Sequence, residues 1–255
     1  MSKEILKTKF KAFSIHLMLS FFLVTLLLSA VIYFWFPLEY LGISSFKGVT
    51  LLIVGIDLII GPILTFIVYA PGKKSLKFDL STIAVFQIIA ITYGTFALYQ
   101  THPLFVTYKQ GMFNLVHANE IDLDKAKFDQ LKVSKFSAGN LAFTQLPKDP
   151  KEQADIMMGV DMKGEPDIDQ RAEFYEPYEN HLDTILKNSL DSAELFSEKM
   201  LDRPRKKFME KFKDKDEYAY FPVKGSSAVG IIVLDKKTAQ VVTTINSNPW
   251  KLTKK

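Results

Sequence analysis

The 255-residue chain is 48% apolar and has no cysteine, which excludes disulfides and thiolate-held metal from its construction. Its net charge of +4 conceals a division: residues 1–100 carry 8 basic and 4 acidic side chains, whereas residues 101–255 carry 24 of each. The surplus lysines flank apolar runs, so they speak for membrane topology and against a nucleic-acid surface.

Residues 1–12 are a basic tail, with Lys3, Lys7, Lys9 and Lys11 against Glu4. Residues 13–36 then pass without one Asp, Glu, Lys or Arg. A secretory signal has an apolar core of only about 7–15 residues and a small-residue cleavage site, which Leu28-Ser29-Ala30 matches poorly. The run predicts an uncleaved first transmembrane helix, with Tyr33, Trp35 and Tyr40 as an aromatic belt at its far end. A short connection between Gly42 and Gly48 follows.

Residues 49–70 form a second apolar run with one charge, Asp57, long enough to cross a hydrocarbon layer of about 30 Å. An ionisable group there faces protein or a wet cavity rather than lipid. By depth, Thr25, Thr92 and Tyr93 lie level with Asp57, and His16 lies too near the inner end to reach it. Two readings stay open. Asp57 is a structural polar residue bonded to Thr92 or Tyr93, or it receives a polar group from a partner's membrane helix. Gly61-Pro62 removes the hydrogen bond to Leu58 and predicts a bend, with Gln87 at the right depth to satisfy the loosened backbone.

Pro71-Gly72-Lys73-Lys74 ends this run in a turn and opens a basic loop, residues 71–79. A third charge-free run covers residues 80–100. The lysine alternation puts the tail and this loop in the cytoplasm and residues 101–255 outside.

The remainder reads as an α+β domain with an antiparallel sheet. Strands are predicted at 104–108 and 112–117 around a turn at Gln110-Gly111, and at 141–146. Helices are predicted at 120–133, capped by Asn119, and at 151–160. Residues 161–179 are acidic and interrupted by Pro166 and Pro177, which predicts a loop or short helices. Leu182, Leu186, Leu190, Ala193, Phe196 and Met200 recur at helical spacing after Asn180, as core packing. A basic helix restarts at Asp202-Arg203-Pro204. Three strands close the chain at 218–223, 228–234 and 239–245, with 230–234 apolar enough to be covered on both faces.

No chemistry announces itself. His16, His102, His117 and His181 are scattered, with no pair at metal-ligand spacing, and neither a phosphate-binding glycine loop nor a nucleophile elbow occurs. The expectation is a non-enzymatic protein without cofactor or metal.

The second run, GIDLIIGPILTFIVYAPGKKSLKFD from Gly55 to Asp79, is preceded by KAFSIHL and followed by a Gln-bearing run that contains Tyr93-Gly94. Together with YAYFPVKG at 218–225 and Asn248-Pro249-Trp250, it resembles the type IV pilin accessory protein family of the TfpX/TfpZ type. The likeness is dense over residues 11–103 and weaker over 217–250. It implies a Gram-negative inner-membrane protein with a periplasmic domain, acting as a chaperone or assembly modulator for a cognate major pilin. The three helices would shelter the pilin's membrane helix, the outer domain would grip its head, and Lys73-Lys74 would lie at the depth of the pilin's membrane glutamate. Simple topological anchoring is the other reading of those lysines. The competing class is an envelope sensor or regulatory module with a ligand-binding ectodomain.

Overall fold

A computed structural model describes residues 3–251. The chain divides into two units: a helical one, up to Tyr33 and from Phe46 to Gln100, and a sheet unit containing Phe34–Ser45 and everything from Thr101.

In the helical unit, α1 (Lys3–Trp35) absorbs most of the basic tail into one helix. At about 1.5 Å per residue it is far longer than a hydrocarbon layer requires. The second run is broken into α2 (Phe46–Val54), a π-helical turn (Gly55–Ile60) and α3 (Gly61–Val68). Pro62 cannot donate to Leu58, and the Gly61 amide reaches back five residues to the Ile56 carbonyl. The expected bend is thus realised as a widened turn, with Asp57 inside it. After α3, Lys73 N donates to Ala70 O at 3.2 Å, and Gly72 holds φ +79°. Proline followed by a left-handed glycine makes this a type II turn. The unit ends with α4 (Leu76–Gln100). All three helical runs are long and apolar enough to cross a membrane.

The sheet unit is built on β1 (Pro103–Lys109), β2 (Met112–His117), β3 (Asn140–Thr144), β4 (Tyr175–Pro177), β5 (Tyr218–Lys224), β6 (Val229–Asp235) and β7 (Val241–Ile245). Their order is β4-β3-β1-β2-β5-β6-β7. The β1–β2 hairpin turns at Gln110-Gly111 with φ of 48° and 87°, the type I′ geometry. The antiparallel expectation holds for four of the six strand pairings and needs correcting for two: β1 pairs with β3, and β2 with β5, in parallel. Long crossovers carry the chain from β2 to β5 and permit this, whereas the short connections of β1–β2, β5–β6 and β6–β7 enforce antiparallel neighbours.

Side chains alternate between two cores. Phe221 and Val223 of β5 with Ile232 and Leu234 of β6 face one side, alongside Tyr108, Phe113 and Ile185. Tyr220, Ile231 and Val233 face the other, against Leu195, Phe196 and Phe208. Leu104, Phe105 and Val116 continue that second face under residues 121–131. β6 is covered on both faces, as its sequence predicts, although it lies one strand from the β7 edge.

Two predicted helices are not formed as such. Residues 120–133 make only 3-10 turns at Leu123–Lys125 and Asp129–Leu131. Asp122 caps the Asp124 amide locally, and Phe128 is extended, which lets Ile121, Leu123, Ala126 and Leu131 all enter the core at uneven spacing. The 182–200 stripe is likewise interrupted, after α5 (Pro150–Lys163), into α6 (Leu182–Lys187) and α7 (Ser192–Leu195). Between them, Leu190 N donates to Tyr220 O at 2.8 Å, and Ser189 Oγ accepts from Tyr220 N at 2.9 Å. The stripe therefore serves both cores, Leu182 and Leu186 on one face of the sheet and Leu190 and Phe196 on the other, which one straight helix cannot do. The basic helix is α8 (Arg203–Lys211), with Asp202 accepting from Arg205 N.

The connection between the first two helical runs is an integral part of this unit. Tyr40 and Ile43 are buried in the first core. Ile43 O accepts from Ser227 N at 3.0 Å, and Ser227 Oγ donates to Ser44 O at 2.8 Å.

Candidate functional site

A cleft of about 670 Å³ opens between α1 and α4 of the helical unit, floored by the second run. On α1 it is lined by Thr8, Lys11, Ile15, His16, Leu19 and Leu23, which recur every three or four residues and so share one helical face. Leu80, Ala84, Gln87, Ile88 and Ile91 of α4 form the opposite wall by the same periodicity. Asp57, Thr65 and Tyr69 come from the floor.

The polar groups in this apolar setting are ordered by one ring. His16 Nε2 lies 2.9 Å from Gln87 Oε1, and Nδ1 lies 2.6 Å from Thr65 Oγ1. Because the amide oxygen can only accept, Nε2 carries the proton in this arrangement and Nδ1 accepts from the threonine hydroxyl. Gln87 Nε2 then turns to the Asp57 backbone carbonyl, 3.5 Å away, which the π turn has loosened. Gly61 makes the arrangement feasible: a Cβ there would sit 2.3 Å from Gln87 Nε2 and 3.2 Å from His16 Nε2.

Asp57 itself is 1% exposed, and neither carboxylate oxygen has a hydrogen-bond partner. Thr92 and Tyr93 do not serve it. Thr92 Oγ1 donates to Ile88 O in its own helix, and Tyr93 is 73% exposed on the outer face. Thr25 is exposed as well. The azimuth around each helix axis turns these residues away from the unit.

The remaining residues singled out by sequence lie at the other end. Pro71 and Gly72 form the exposed turn, and Pro62 is buried beside Gly61. Lys73 is committed to Asp79, Nζ to Oδ2 at 2.6 Å, while Lys74 is exposed. Sequence reasoning set His16 aside and missed Thr65. The available signal was the polar set Thr8, Lys11, His16 and Ser20 on one face of an otherwise apolar helix. Lys9 was missed too: its Nζ donates to Phe66 O at 3.2 Å and Ile67 O at 2.9 Å, a cation on the last carbonyls of α3. Among the described residues no group of three or more His, Asp or Glu could hold a metal ion.

Comparison with known proteins gives three relatives in Dichelobacter nodosus. The chain is 26% identical to its fimbrial assembly protein of serogroup E1 over 250 residues, 95% of this chain and 96% of that one. Over 117 residues, 45% of this chain, it is 32% identical to the fimbrial assembly protein of serogroups C1 and C2, covering 89% of it. It is also 32% identical to the serogroup I protein over 117 residues, 46% of that protein. No family model matches, and no solved structure does.

Proposed function

We propose a role that starts from one fact: the chain belongs to the family of these fimbrial assembly proteins. The role is fimbrial assembly, and within it that of a non-enzymatic accessory protein, a chaperone or assembly modulator for a cognate type IV major pilin. The protein lies in the bacterial inner membrane with its sheet unit in the periplasm. The observation that carries this reading is the joining, in one chain of that family, of three helices able to cross a membrane with a folded sheet unit. A subunit awaiting assembly presents the same two parts, a membrane helix and an outer head. The lysines at the start of α1 and between α3 and α4 support a cytoplasmic location for those ends. Since Lys73 is paired with Asp79, Lys74 is the residue free to meet a client's membrane carboxylate.

The test is co-purification. Extracted in mild detergent from cells making the cognate pilin, the tagged protein should retain that pilin and discriminate against a non-cognate one. Recovery at wild-type level with no pilin retained in detergent and none crosslinked in membranes would refute the client role. Alkaline phosphatase fused to the C-terminus should be active; activity only from a cytoplasmic reporter at the same place would refute the topology.

A further inference from the structure

We propose that the α1–α4 cleft is a receptor for one additional membrane helix, whose hydrogen-bond-donating side chain completes the coordination of Asp57. The inference rests on the client reading above and names the client's site on this chain. Its first support is geometric. From Thr8 to Leu23 the α1 wall runs about 22 Å, some four turns, and from Leu80 to Ile91 the α4 wall runs about 16 Å. Two helical stripes that line the same trough, joined at its floor by the His16–Gln87 hydrogen bond, leave a groove that fits a rod-shaped occupant of similar length.

The second support is chemical. A carboxylate that is 1% exposed in a segment of membrane-spanning length, with both oxygens unpartnered and the residue lining the cleft, is an incomplete polar site. An acyl chain would fill the apolar volume and leave those oxygens as they are. A helix carrying an amine, hydroxyl or amide at that depth does both. Of the chain's own neighbouring groups, His16 is held by Thr65 and Gln87, and Gln87 directs its amide to the Asp57 backbone carbonyl at 3.5 Å. That network fixes the floor on which Asp57 sits.

Photocrosslinking side chains placed at Leu19 and Ile88, inside the cleft, and at Phe22 and Phe86, outside it, test this in membranes of cells making the cognate pilin. Met157, exposed on the sheet unit, supplies an independent position. Pilin adducts are expected at Leu19 and Ile88 and not at Phe22 or Phe86. D57L should weaken the cleft adducts roughly three- to twentyfold, the range of single hydrogen bonds between membrane helices, while D57N, which still bonds, keeps most of them. A84F, which fills the trough from an exposed wall position, should abolish them at unchanged protein level. Pilin adducts at Met157 but none in the cleft overturn the inference and leave the client role standing. Cleft adducts unaffected by both D57L and A84F, or equal adducts inside and outside, overturn it as well. No pilin adduct anywhere, with no pilin co-purified, removes the client role and the inference with it.

Discussion

Gly225 opens the four-residue connection between β5 and β6, and Gly225 N donates to Ala228 O at 2.9 Å. A Cβ at this position would lie 2.2 Å from Ile43 O, 2.8 Å from its carbonyl carbon and 2.9 Å from its Cβ. The obstacle is mostly backbone, so no rotamer relieves it. G225A therefore either forces overpacking, which costs about 1–3 kcal/mol, or drives residues 34–45 off the sheet. Leaving loses two hydrogen bonds, from Ser227 N to Ile43 O and from Ser227 Oγ to Ser44 O, at about 1 kcal/mol each. It also exposes Ile43, now fully buried, at about 1.5–3 kcal/mol. Leaving therefore totals about 3.5–5 kcal/mol, and the cheaper route, overpacking, sets the expectation at about 1–3 kcal/mol. For a unit of this size that is a fall in melting temperature on the order of 2–12 °C. Because the chain has no cysteine, S44C gives a clean reporter: Ser44 is 1% exposed and should react slowly with a maleimide in the native protein. Adding G225A should accelerate labelling in full-length protein held in detergent. Unchanged labelling and unchanged melting would mean that this segment is not docked on the sheet, and the reasoning fails.

Arg205 is fully buried, with Nη1 donating to Met200 O and Nη2 to Asn248 O at 2.8 Å. R205M strands two carbonyls and should cost about 2–4 kcal/mol, read as faster proteolytic trimming of the C-terminal segment; R205K, lacking the fork, should recover less than half. Burial pushes the Glu120 carboxyl up, but hydrogen bonds from the His117 side chain and backbone, both at 2.9 Å, outweigh it and hold the group below its ordinary value of 4.5. A carboxyl depressed on folding contributes stability that is complete above that ordinary value and is lost as pH falls through the folded one. Acid titration of thermal stability should therefore be flatter below pH 4.5 in E120Q than in the wild type, and identical slopes would refute the pairing.

Much of the architecture was legible because it depends on local pattern. Charge-free runs of membrane length, Gln110-Gly111 between alternating residues and the apolar stretch of β6 each encode their element within a dozen residues. The failures share a cause. Residues 120–133 and 182–200 carry enough apolar side chains for helices, but those side chains are divided among surfaces that exist only after the sheet has formed. Parallel pairing of β1 with β3 and of β2 with β5 is likewise a product of crossovers whose path no local pattern specifies.

The candidate site divides along the same line. Sequence alone determined that Asp57, Gly61, Pro62 and Gln87 are out of place in apolar runs, since the cost of a polar group or a missing amide in hydrocarbon is set by residue type. Only tertiary structure decided which of them meet. Depth along a helix can be counted from the chain, whereas the direction a side chain takes around the axis depends on how the helices are rotated against each other and on the residue inserted by the π turn. That rotation brought His16 and Thr65 to the cleft, turned Thr92 and Tyr93 away from it, and left Asp57 buried in its floor.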